Sequence, residues 1–201
     1  ESSLDNNISF GEDIEINILT ENVGTSNVNG IFVEVTTDDQ YVEILNGSSM
    51  IAYATVNDIV NTSEPISLSI FGDVPDGHMA HFNVLYETGD GEQWNSSFSI
   101  EISATDFQVL NPVLIDEDQN GVLDPGENAL LTVDLANLGS GSFGWYPGAF
   151  IVSNSEYIEV DMDSTAWFYG IDSEMTYEWT FSLQAASDTP LGATGTISIF
   201  W

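Results

Sequence analysis

Residues 11–24 read GEDIEINILTENVG, and residues 126–139 read GENALLTVDLANLG. In the first stretch Ile14, Ile16 and Ile18 alternate with Asp13, Glu15 and Asn17, between Gly11-Glu12 and Asn22-Val23-Gly24. In the second, Leu131, Val133 and Leu135 repeat that alternation between Gly126-Glu127 and Asn137-Leu138-Gly139, 115 positions further on. Alternation of period two places one set of side chains on a buried face and the other in water, which is a β-strand rather than a helix. Two such strands with the same start and stop signals indicate an internal repeat.

Working outward, the correspondence continues in order. Tyr41-Val42-Glu43-Ile44 recurs as Tyr157-Ile158-Glu159-Val160, with one single-residue slip. Ile66 and Leu68 recur as Phe181 and Leu183, Pro75-Asp76-Gly77 as Pro190-Leu191-Gly192, and Phe82 and Val84 as Ile197 and Ile199. Further alternating runs end in Tyr177, Trp179, Phe181 and Leu183 and in Phe98, Ile100 and Ile102. Gly, Asn, Asp and Pro clusters punctuate the runs every 8–12 residues or so, and no stretch sustains a helical period. The expected fold is all-β: two tandem immunoglobulin-like antiparallel β-sandwich domains, residues 1–106 and 107–201.

The two copies are out of phase. The second has a leading strand, Phe107–Ile115, with no counterpart in the first; the first has a closing strand, Trp94–Ser103, with no counterpart in the second. The first domain is therefore expected to lack its first strand and the second its last. This suits a slice of a longer array, or neighbouring chains that supply the strands.

Residues 116–127 carry the one motif with specific chemistry, Asp-Glu-Asp-Gln-Asn-Gly-Val-Leu-Asp-Pro-Gly-Glu. Set on the twelve-residue calcium loop, Asp116, Asp118 and Asn120 take positions 1, 3 and 5, and Gly121 is the turn glycine. Val122 offers a carbonyl, Asp124 takes position 9, and Glu127 is the carboxylate at 12. A hard cation needs about six to eight oxygens, and alternate loop side chains deliver them. Pro125 and strand-like flanks place this loop between strands, not in a helical hand. The equivalent stretch of the first copy offers Glu1, Ser3, Asp5, Ser9 and Glu12, with Asn6 in place of the turn glycine, as a weaker candidate.

The balance of charge narrows function. The chain has 33 Asp and Glu, two His and no Lys or Arg, for a formal charge of −33. Ordinary usage would supply about two dozen basic residues. Without cations the chain cannot neutralise phosphate, which excludes nucleic acid and argues against anionic membranes. Lysine Schiff bases and arginine clamps are excluded as well. Cysteine is absent, so no thiol nucleophile or disulfide exists. His78 and His81 fall on opposite faces of one predicted strand, which disfavours a shared metal, and no nucleophile elbow is present. Trp145, Tyr146, Trp167 and Tyr169 break alternation near turns and are candidates for a subunit interface or for stacking on a glycan.

The Asp-rich Asn-Gly loop, Leu-Asp-Pro-Gly-Glu, the alternating strand, Asn-Leu-Gly and the later Thr-Pro-x-Gly together resemble a known repeat. It is the immunoglobulin-like β-sandwich repeat that accompanies gingipain-type cysteine peptidases and other large surface proteins of type IX-secreting bacteria. The resemblance implies an extracellular or cell-surface stalk or accessory role; the peptidase domain is absent. The expected protein is a non-catalytic structural segment of a surface filament, stalk or adhesin, rigidified by calcium. Its expected partners are neighbouring copies of itself or further repeats, and strand exchange is its expected route to polymerisation. The alternative is a carbohydrate-binding accessory module of a secreted enzyme.

Overall fold

The computed structural model describes residues 7–144, 148–161, 166–167 and 170–200 of the chain. Among these residues there is no helix; every regular element is a strand, and all the strand pairings are antiparallel. The chain divides into two compact units, Glu1–Ala104 and Thr105–Trp201, two residues before the boundary expected from the repeat.

In the first unit, β1 (Asp13–Ile16), β7 (Ile66–Ile70) and β4 (Val42–Asn46) form a sheet of order β1-β7-β4. A second sheet has the order β5-β3-β8-β9, from Ser48–Ala54, Val28–Thr36, His78–Thr88 and Gln93–Ile102. A short pair, β2 (Leu19–Glu21) with β6 (Ile59–Asn61), continues β1. Alternation sets what is buried: along β3, Ile31, Val33 and Val35 are buried while Phe32 and Glu34 are exposed. These residues share one apolar cluster with Phe82 and Val84 of β8 and with Ile66, Leu68 and Ile70 of β7. Two sheets thus enclose one core, a β-sandwich-like arrangement. Phe98 of β9 stacks on Phe82 with ring centroids 4.8 Å apart.

In the second unit the sheet order is β10-β11-β15-β13, from Phe107–Asp116, Asn128–Asn137, Thr176–Ala185 and Ile158–Val160. Opposite it lie β14 (Ala166–Trp167), β12 (Gly148–Ser153) and β16 (Ile197–Phe200). Val133, Leu135, Ile151, Phe181 and Leu183 make the core, with Trp179 packed against it and stacked on Phe181.

The pairing register repeats with the sequence. Ile14 lies opposite Leu68, and Ala129, 115 residues on, lies opposite Leu183, also 115 residues on. Val35 pairs with Val84 as Ile151 pairs with Ile199. The Gly-Glu start has a backbone cause: Gly11 and Gly126 have φ of +72° and +83°, a region that side chains disfavour. The Pro-x-Gly turn closes alike in both units, His78 N–H to Pro75 C=O at 3.2 Å and Ala193 N–H to Pro190 C=O at 3.0 Å.

Each unit has one outer strand that the other lacks among the described residues. β10 covers the outer edge of β11, whereas β1 pairs only with β7. β9 covers β8, whereas β16 pairs only with β12. Burial follows: Phe82 and Val84 are 1% and 2% exposed, while their counterparts Ile197 and Ile199 stay half-buried.

Candidate metal centre

The loop of residues 117–127 joins β10, an outer strand of its sheet, to its neighbour β11. The strands bring its ends together, because Asp116 sits opposite Ala129 in the ladder. Three of its residues take left-handed backbone, Gln119 with φ 60°, Gly121 with φ 82° and Gly126 with φ 83°. The two glycines adopt it without strain, and the Gly121 N–H donates to Asp116 Oδ2 at 2.6 Å.

Ligand oxygens of Asp116, Asp118 and Glu127 all lie within 4.8 Å of one another. This cluster can bind a metal ion. Among the described residues it is the only group of three or more acidic, His or Cys side chains with that reach. Asp124 joins it through Asn120, whose amide nitrogen donates to Asp118 Oδ2 at 2.9 Å and to Asp124 Oδ2 at 3.1 Å. Asn120 Oδ1 accepts the Val122 N–H at 2.7 Å. Glu127 closes the loop: Oε1 accepts the N–H groups of Glu117 and Asp118 at 2.7 and 3.2 Å, and Oε2 accepts that of Asp124 at 2.8 Å.

One atom stands apart. Asp116 is 5% exposed, and its Oδ1 is buried without a hydrogen-bond partner. Buried polar atoms are paired in nearly all cases, and an orphaned carboxylate oxygen is costly. Here the orphan belongs to the residue at the first ligand position, beside two further carboxylates. The donor set is oxygen-only, which suits a hard cation such as calcium or magnesium rather than zinc or copper.

Of the residues singled out from sequence, the structure brings Asp116, Asp118 and Glu127 together, and Asn120 links Asp118, Asp124 and the Val122 N–H by hydrogen bonds. In the first copy, Glu1, Ser3 and Asp5 lie outside the described residues. Ser9 and Glu12 keep the closing contact, with the Ser9 N–H on Glu12 Oε2 at 3.1 Å, as Asp124 N–H sits on Glu127. Trp145, Tyr146 and Tyr169 also lie outside the described residues, as does the side chain of Trp167, whose backbone pairs with Gly148.

Two polar groups escaped the sequence reading. The first is the asparagine of the Asn-x-Gly stop signal. Asn137 is fully buried; its amide donates to the carbonyls of Gly141, Ile171 and Asp172, and its oxygen accepts from Asp106 and Gly139. Asn22 repeats this on a smaller scale, with Ser26, Ala54 and Gly24. The recurrence of Asn-x-Gly was the available signal, and it marks a structural pin. The second is His78, whose Nε2 lies 2.7 Å from Asp39 Oδ2. Burial pushes the Asp39 carboxyl up; the Tyr41 N–H and the His78 ring more than offset that and hold it below its ordinary value. His81 pairs separately, through Nδ1 to Ser99 Oγ at 2.6 Å.

No family model and no curated protein matches this chain. Among solved structures, similarity reaches the YadV chaperone and the secreted serine protease VesC of Vibrio cholerae, each at a TM-score of 0.32 and 11% identity. Each match covers 92% of this chain, with 83% of the chaperone chain and 46% of the protease chain. At that score the likeness carries no argument about this protein.

Proposed function

We propose that this chain is a non-catalytic tandem of immunoglobulin-like β-sandwich domains, a structural segment of an extracellular filament, stalk or adhesin, rigidified by calcium. The observation that carries the reading is the buried, unpartnered Oδ1 of Asp116 among the carboxylates of a complete calcium-loop sequence. When bound, the ion supplies a fixed positive charge. The chain's own part is geometric: Glu127 ties the loop's two ends, Asn120 spaces Asp118 from Asp124, and Asp116 anchors the site at the end of β10. Holding that loop holds β10 against β11, which stiffens the edge of the sheet. The repeated register supports the tandem reading, and the absence of Lys and Arg leaves a divalent ion as the strong countercharge.

Calcium titration with calorimetric melting tests this reading. At about 100-fold excess over Kd, binding adds about 2.7 kcal/mol, or about 13 °C for a unit of this size. Glu127→Gln removes most of the gain. An unchanged melting temperature across millimolar calcium defeats the site and the reading built on it.

A further inference from the structure

We propose that the outer edge formed by β1 and β2 is a docking site for an extended basic–apolar strand of a different protein, added antiparallel to β1. This deepens the adhesive reading above by naming a partner class, and it does not depend on the cation.

Among the described residues no strand covers this edge, and its geometry is known from the same chain. The Glu12 carbonyl accepts from Ile70 N–H, so in the β1–β7 ladder positions 12, 14 and 16 turn their backbone groups toward β7. Asp13 and Glu15 therefore turn theirs outward. The Ile18 carbonyl accepts from Thr62 N–H and the Asn22 N–H donates to Asp58, so Leu19 and Glu21 turn outward in the same way. In the second unit the equivalent edge is occupied: β10 runs antiparallel along β11 from Asp116 opposite Ala129 to Phe107 opposite Asn137. An open groove of about 780 Å³ borders β1 and reaches across β7 to Leu45 of β4, with Ile8, Ile14, Ile16 and Leu68 among its lining residues. All three isoleucines are half-buried, so apolar side chains of an added strand would complete their cover.

Charge selects the occupant. Asp13, Glu15 and Glu21 are exposed along this edge, and Glu12 also borders the groove. A strand added here places its own side chains directly opposite them. Opposite charges stabilise such cross-strand pairs and like charges destabilise them. This chain has no Lys or Arg and a charge of −33, so a strand from another copy brings no Lys or Arg to pair with these carboxylates. The complementary strand carries Lys or Arg between apolar residues and comes from another protein.

The test uses the isotope-labelled 201-residue chain and three blocked ten-residue peptides. One alternates Val and Lys, one alternates Val and Glu, and one has the β10 sequence, Phe107–Asp116. The expected result is that the Val-Lys peptide shifts the amide signals of residues 13–21, with affinity that falls as salt rises. The Val-Glu peptide binds at least about tenfold more weakly, from three reversed pairs. Glu15→Pro removes an outward N–H without touching the β7 ladder and abolishes the shifts; Asp13→Asn/Glu15→Gln, which leaves the backbone intact, flattens the salt dependence. Glu127→Gln leaves peptide binding unchanged, which separates this outcome from that of the calcium experiment. Equal or tighter binding of the β10 peptide overturns the proposal in favour of a like strand from another copy or adjoining repeat. Shifts scattered over the acidic surface, or no shifts, overturn it as well.

Discussion

At the scale of single residues, two carboxylates do opposite things with burial. Asp116 is buried with one oxygen satisfied by Gly121 and the other orphaned. Asp39 is partly buried with both a backbone and an imidazole partner. Asp116→Asn keeps an oxygen for Gly121 and turns an amide toward Glu127, removing one of several converging charges. In chelator its melting temperature is expected to equal or exceed that of the parent, while the calcium-induced rise disappears. A variant destabilised equally with and without calcium would make Asp116 a packing residue instead. For Asp39 the folded-state carboxyl lies below its ordinary value of 3.8, so its stabilisation is complete above that value and is lost as pH falls through the folded value. Urea melts of the parent and Asp39→Asn should show a gap near pH 5 that closes in stronger acid. A gap that widens on acidification would reverse the assigned sign.

At the scale of elements, the repeated asparagines carry the connections between strands. Asn137→Ala strands two backbone N–H groups and removes a donor from three carbonyls inside the fold. The expected loss is about 3 kcal/mol, against about 1 kcal/mol for Asn22→Ala, whose contacts are fewer and more exposed. Chemical denaturation of the two variants checks the ratio; equal losses would mean that water replaces the Asn137 amide. Much of this level was legible beforehand. Period two and the 115-residue offset marked β1, β7, β11 and β15, and the Gly-Glu and Pro-x-Gly signals marked their turns. The interruption of the first copy was less so. β11 and β15 are continuous over ten residues each, whereas their counterparts break into β1 with β2 and β6 with β7. The break comes from Pro65, which cannot donate to a ladder, and from Ser63 and Glu64 turning to other partners. Ser63 N–H reaches Met50 C=O and Glu64 N–H reaches Ser49 Oγ, both of the other sheet. The calcium loop was readable because its ligands are local in sequence. The Asp39–His78 pair was not, because it joins residues 39 apart and depends on how two sheets meet.

At the scale of the whole molecule, 33 carboxylates share the chain with no Lys or Arg, and the described ion pairs reduce to His78 with Asp39. Self-repulsion of that kind opposes the compact state and is relieved by any salt. Specific binding and general screening then both raise stability, and they separate by concentration. In chelator, raising sodium chloride from about 10 mM to about 0.1 M shortens the screening length from about 30 Å to about 10 Å, and both units should melt higher. Calcium at about 1 mM barely changes the screening length, yet should raise the transition of residues 105–201. In the Glu127→Gln variant the sodium effect remains and the calcium effect goes. The first unit reports on its own loop, since Glu12 repeats the closing contact of Glu127 but Asn6 stands where Gly121 turns. A calcium response confined to one calorimetric transition assigns the ion to the second unit. Two responding transitions assign a working site to both copies, and Glu12→Gln should then abolish the first. If matched ionic strength from sodium chloride reproduces the whole calcium effect, the acidity of the chain acts through screening alone and the loop is an acidic turn.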